Sequence, residues 1–131
     1  MSASNLTAPF RPMLMGGDIA ALIVKIEQWG EARNITPEGG ATIEAQLKKL
    51  QEELNEGFDT LEELDTNARL TFHETVELRT QLDADFGDML VCIIQAMRLA
   101  NTDMIVCLEK AWEDIKDRKG TMVDGQFVKE S

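Results

Sequence analysis

Histidine and cysteine are scarce in this 131-residue chain: one of the first, His73, and two of the second, Cys92 and Cys107. The cysteines do not form a Cys-x-x-Cys pair, and one histidine beside them is too few for a zinc site. Both lie within apolar helical runs, which predicts small buried hydrophobes in a reducing compartment. The lone histidine also argues against a di-iron carboxylate bundle, which needs Glu-x-x-His motifs in its core. His73 reads as a surface or capping residue with no chemical role.

Long apolar runs are lacking too. None approaches the roughly 18 residues of a transmembrane helix. Residues 1–16 hold no basic region followed by an apolar block, so no signal peptide is expected. The expectation is a cytoplasmic protein with no membrane contact. Cations are outnumbered: 13 Lys and Arg face 24 Asp and Glu, a formal net charge of -11. Such a surface repels phosphate, which argues against a nucleic-acid grip by the chain's own cations. It does not oppose a nucleotide held through metal ions, because each cation reverses the local sign.

What is present is the profile of one ordinary globular domain, 44% hydrophobic and 28% charged. A domain of this size buries only about two-thirds of its unfolded surface, so oligomerisation would help it.

Along the chain, residues 1–16 read as a loose tail rich in Ser, Asn, Thr and Pro, and residues 17–131 as a helical domain. Asp18 stands at an N-cap position ahead of Ile19, Leu22, Ile23, Ile26 and Trp29, predicting a helix to about Arg33. Thr36-Pro37 is a second start signal, weakened by Gly39-Gly40; the firm part begins near Ala41 and carries the stripe Ile43, Leu47, Leu50, Leu54, with Gly57 as its stop. Thr60 and Glu63 match a capping box for the next helical segment, with Leu61, Leu64 and Ala68 as its apolar face. Whether the chain breaks between Thr66 and Glu74 is open. From Glu74 to Ala100 it reads as a helix apolar nearly all round, hence the buried centre of a bundle. Thr102 or Asp103 caps a last helix ending at Gly120, and Asp124-Gly125 is a two-residue hairpin turn. The fold class is all-α: an antiparallel bundle of four or five helices with a short C-terminal hairpin.

The second helix carries Glu52, Glu53 and Glu56 within one turn, with only Lys49 placed to relieve their repulsion. The apolar helix carries Asp85 and Asp88, three apart. Each cluster alone is commonly a solvated face. If the two helices pack antiparallel, five carboxylates meet across one groove, a set of hard oxygen ligands suited to Mg²⁺ or Mn²⁺. Ions held there would bind a polyphosphate and activate water.

Gln46, Lys49, Glu52, Glu53 and Glu56 resemble the first motif of the MazG-like all-α nucleoside triphosphate pyrophosphohydrolases. Asp85-Phe86-Gly87-Asp88-Met89-Leu90 is similar to their second motif, Trp29 to Arg33 to their Trp-x-x-x-Arg signature, and residues 111–130 to the ending of small members common in phages and bacteria. The resemblance spans about residues 20–130. Two features depart from the family pattern. Asp85 stands where Glu is usual, with Asp83 as a second candidate, and the segment 58–82 is long.

The resemblance implies a MazG-like bundle, paired into a homodimer or homotetramer, that hydrolyses a nucleoside triphosphate to monophosphate and pyrophosphate. Glu52, Glu53, Glu56, Asp85 and Asp88 would hold Mg²⁺, with Mn²⁺ as a substitute, and either Glu52 or Glu53 would orient or deprotonate the water that attacks the α-phosphate. A preference for deoxynucleotides follows from family habit; a purine such as dGTP and a phage-encoded origin are further expectations. Lys49, Lys116 and Arg118 are candidates for phosphate contact; Lys49 equally neutralises the glutamates, and Lys116 and Arg118 equally serve the dipole at a helix end. Trp29 is a candidate to stack on a base, or a core residue, and Arg33 to contact the nucleotide, or end its helix. The competing reading is a non-enzymatic helical interaction protein whose acidic faces are solvated.

Overall fold

The computed structural model describes residues 17–67 and 69–131; the expected tail 1–16 and Ala68 lie outside the described residues. Among these residues, four helices and a hairpin follow in order: α1 (Ile19–Ala32), α2 (Ile43–Thr66), α3 (Phe72–Leu99), α4 (Met104–Ile115), β1 (Gly120–Val123) and β2 (Gln126–Lys129).

Asp18 caps α1, its carboxylate accepting from the N–H of Ala20 at 3.0 Å and of Ala21 at 3.3 Å. Asn34, at φ 59°, stops it: Ile35 N–H returns to Gly30 C=O at 2.9 Å and Asn34 N–H to Glu31 C=O at 3.1 Å. Asn101, at φ 57°, ends α3 in the same way, with Thr102 N–H on Met97 C=O at 3.0 Å. Asparagine tolerates this left-handed position better than other residues with a Cβ, and the returning N–H groups satisfy the last carbonyls. Asp103, one of the two expected caps, opens α4. The Asp124-Gly125 turn has both residues at positive φ, and β1 pairs β2 antiparallel with Val123 opposite Gln126.

Three expected boundaries are corrected. Thr36-Pro37 opens no helix; its carbonyl and hydroxyl fold the segment into a turn, taking Ala41 N–H at 2.9 Å and Gly39 N–H at 3.0 Å. Thr42 is the cap instead. Gly57 does not end α2, and Thr60 caps nothing: Thr60 lies inside the helix, its hydroxyl near Glu56 C=O at 3.1 Å and donating to Asp85 Oδ2 at 2.6 Å. The capping box is eleven residues on, where Thr71 and Glu74 bond reciprocally after a real break. Finally, α4 stops at Ile115, and Gly120 begins β1.

Antiparallel packing of α2 on α3 forms the centre: Glu53 lies near Asp88, Gly57 near Met89, and Thr60 on Asp85. The buried face of α2 is Glu53, Gly57, Thr60 and Leu64, not the leucine stripe, for Ile43, Leu47 and Leu54 are 39–48% exposed. On α3, Cys92, Ile94 and Ala96 are buried with Asp85 and Gln95. Gln95 and Arg98 fasten the α1 end: Gln95 Nε2 donates to Ile26 C=O at 2.9 Å, Gln95 Oε1 accepts from Arg98 Nε at 3.1 Å, and Arg98 donates to Ile35 C=O. α3 is thus central, but it is not buried all round: Phe86 and Leu90 are half exposed. α4 leaves at 101° to α3 and has at most slight contact with the other elements, so α1, α2 and α3 form the packed unit. Among the described residues no single helix is long and apolar enough to cross a membrane.

A Cβ at Gly30 would fall 2.1–2.5 Å from the side-chain amide of Gln95, which three hydrogen bonds hold in place. Gly30→Ala therefore destabilises the protein by about 1–3 kcal/mol. At Gly57 the nearest obstacle is the mobile terminal methyl of Met89, at 2.7 Å, so Gly57→Ala is neutral to within about 1 kcal/mol, the methyl's shift being offset by helix propensity. Urea denaturation of both variants checks the contrast.

Candidate metal centre

The line of α2 that faces α3 begins with Glu53. Its side chain is 10% exposed. Oε1 lies 3.4 Å from Lys49 Nζ, and Oε2 is buried with no hydrogen-bond partner. One turn on, Glu56 is exposed, and Asp88 on α3 is exposed across the groove. One carboxylate oxygen from each of Glu53, Glu56 and Asp88 lies within 4.8 Å of the others. Oxygens on opposite sides of a cation bound at about 2.1–2.5 Å are separated by about 4–5 Å, so the three acids fit a hard divalent ion with little movement.

The electrostatics point the same way. The negative charge of Glu53, foremost, and a hydrogen bond to it hold the Glu56 carboxyl above its ordinary 4.5. Two ionised carboxylates have no proton to share; a protonated Glu56 or a cation supplies what Glu53 lacks. Lys49 relieves part of this, its ammonium stabilised first by Glu52 and then by Glu53. Burial, then the Glu53 charge, raises the Cys92 thiol, which stays protonated at neutral pH.

Of the five expected ligands, the fold assembles Glu53, Glu56 and Asp88 and leaves out two. Glu52 points outward, two-thirds exposed, and pairs with Lys49 Nζ at 3.0 Å. Asp85 is 1% exposed, and both its oxygens are engaged, Oδ2 by Thr60 and Oδ1 by Gln81 Nε2 at 2.9 Å. It pins the helices together one turn from the cluster. Asp83 is exposed and lies on a different face of α3 from Asp88.

Beside the cluster is a pocket of about 360 Å³. Trp29, Ile35, Val91 and Cys92 wall it, Gln46 and Gln95 bring amides, and Lys49, Glu53 and Asp88 line it on the acidic side. Trp29 is 43% exposed, with the Arg33 guanidinium stacked 4.7 Å from its ring centroid. Lys116 and Arg118 do not line this pocket: they follow α4 and pair with Glu113 and Asp114, one turn back. Sequence reasoning missed Thr60 and Gln81, which hold Asp85, and Gln95 and Arg98, which fasten the carbonyls of Ile26 and Ile35 to α3. The available signal was Gln95 and Arg98 three apart inside an apolar run.

A raised carboxyl favours the folded state below its unfolded pKa, and that advantage is lost as pH rises through the folded value. In metal-free buffer the melting temperature therefore rises as pH falls from 7 toward 5. Glu53→Gln removes the charge that raises Glu56, so the variant is more stable than the parent at pH 7 and shows a flatter profile. Scanning calorimetry of the two proteins over this range measures the difference.

No family model, curated protein or solved structure matches the chain.

Proposed function

We propose that the protein is a MazG-like, magnesium-dependent nucleoside triphosphate pyrophosphohydrolase, acting in the cytoplasm. The observation that carries this reading is the convergence of Glu53, Glu56 and Asp88 beside an open pocket, with one Glu53 oxygen buried and unpartnered. Glu53, Glu56 and Asp88 hold Mg²⁺, or Mn²⁺ in its place. When bound, the ion neutralises phosphate charge and acidifies water. The donor set suits such an ion, being all carboxylate oxygen with no histidine or thiolate in the cluster.

The chain's own residues divide the remaining work. Glu53, buried and fixed, orients the attacking water and accepts its proton. Glu52, outside the cluster, holds Lys49 in position. Lys49 borders both the acids and the pocket and contacts the triphosphate. Trp29, swung free of Arg33 or stacked between it and the ligand, packs on the base. Water attacks the α-phosphate; the α–β bridging oxygen departs with pyrophosphate, leaving the monophosphate. Deoxynucleotides, dGTP among them, are the favoured substrates in this reading.

The runner-up, a non-enzymatic helical interaction protein, draws on the exposed apolar residues of α4: Ile105, Leu108 and Trp112 are 59–62% exposed. Incubation with each ribo- and deoxynucleoside triphosphate and Mg²⁺ or Mn²⁺, with chromatographic separation of products, decides between the two. The expected products are monophosphate and pyrophosphate, abolished by chelator and lowered at least about 100-fold in Glu53→Gln. Diphosphate and phosphate would move the attack to another bond; no turnover by folded protein would favour the interaction protein.

A further inference from the structure

Lys49 stands where the acids meet the pocket. Its ammonium lies 3.0 Å from Glu52 Oε2 and 3.4 Å from Glu53 Oε1. The two partners differ in kind. Glu53 is largely buried and belongs to the acidic cluster, whereas Glu52 is exposed and stands outside it. Among the described residues that line the pocket, Lys49 is the one cation, set against the carboxylates of Glu53 and Asp88. An anion entering the pocket therefore meets two acids and a cation already paired with one of them.

We propose that a divalent ion at Glu53 turns Lys49 from a counter-ion of the acids into a phosphate ligand, with Glu52 as the anchor on which it pivots. The inference rests on the reading of Glu53, Glu56 and Asp88 as a metal centre. Glu52, one of the expected metal ligands, becomes instead a positioning residue that acts through Lys49.

Competition is the first argument. A divalent ion and an ammonium on one carboxylate repel each other, and the ion brings twice the charge to Glu53. Lys49 does not satisfy Glu53 as it stands: one oxygen is buried without a partner, and the contact to the other is the longer of the two that Lys49 makes. The weaker of its two ion pairs is thus the one that the incoming cation contests.

Anchoring is the second. Glu52 takes no part in the cluster, so it keeps its contact with Lys49 when Glu53 is occupied. An ammonium has three N–H donors and no acceptor, so a lysine held by Glu52 and released by Glu53 has donors left for another anion. Position is the third. Lys49 already lines the pocket, so those donors serve a phosphate there without movement of α2. Metal and polyphosphate then bind with positive coupling, each raising the affinity of the other by the same factor.

Two calorimetric titrations of the full chain test the exchange: Mn²⁺ alone, and then inorganic pyrophosphate, added as its Mn²⁺ complex, onto Mn²⁺-saturated protein. Lys49→Met is expected to tighten Mn²⁺ binding at least about fivefold, because a competing charge is gone, and to weaken pyrophosphate binding at least about tenfold, because a charge-assisted donor is gone. Glu52→Gln keeps saturable Mn²⁺ binding and weakens pyrophosphate in the same direction. The double variant binds pyrophosphate no more weakly than Lys49→Met, since the two residues act as one unit. Lys48→Met removes the same charge from a lysine paired with Glu44 and changes either affinity by less than about twofold. A Lys49→Met protein that binds Mn²⁺ no more tightly than the parent overturns the exchange and leaves the metal centre standing. Losses at Lys49 and Glu52 that add in the double variant overturn the anchor. A parent protein that binds no Mn²⁺ overturns the metal reading and this inference together.

Discussion

The 2.6 Å hydrogen bond from Thr60 to Asp85 sets the register on which the rest of the molecule depends. It joins a hydroxyl on α2 to a carboxylate that is 1% exposed on α3, and it requires α2 to run unbroken past Gly57. A one-residue slip along either helix would leave a buried carboxylate short of a donor, a penalty of about 1–3 kcal/mol or more for a charged group. With that contact fixed, helical spacing dictates the rest: Gly57 one turn back faces Met89, and Glu53 one turn further meets Asp88. The polar pin and the acidic cluster belong to one continuous face, Glu53, Gly57, Thr60 and Leu64.

That face explains why a carboxylate is buried at all. The geometry that inserts Thr60 into its bond with Asp85 also carries Glu53 into the interface, where one oxygen finds Lys49 and the other finds nothing. Glu56 and Asp88 then add like charge. A cation placed among these three acids would offset their mutual repulsion. Gln95 and Arg98 hold α1 beside it, so Trp29 and Ile35 wall the adjoining pocket.

Much of this was legible in the chain and some was not. Asp18, the Asp124-Gly125 turn and the long α3 follow from local chemistry that tertiary contacts do not override. The error at Gly57 and Thr60 has one cause: Thr-x-x-Glu occurs at 60–63 and 71–74, and only the partner of the hydroxyl distinguishes a cap from an interior threonine. The acids were legible as a group, but their division was not. Asp85 and Asp88 look alike in sequence; one faces Thr60 and Gln81, and the other faces Glu53. Lys116 and Arg118 read as cations at a helix end and candidates for phosphate contact; in the fold they pair with Glu113 and Asp114 and do not line the pocket. The leucine stripe of α2 was visible too, yet periodicity does not say which partner a stripe meets.

The central claim is that the α2–α3 groove binds a divalent ion through Glu53. Calorimetric titration of the nucleotide-free protein with Mn²⁺ tests it most directly. The account predicts saturable binding in a fixed ratio to protein, lost in Glu53→Gln and kept in Glu52→Gln. Binding that is absent, or that survives Glu53→Gln unchanged, would contradict it.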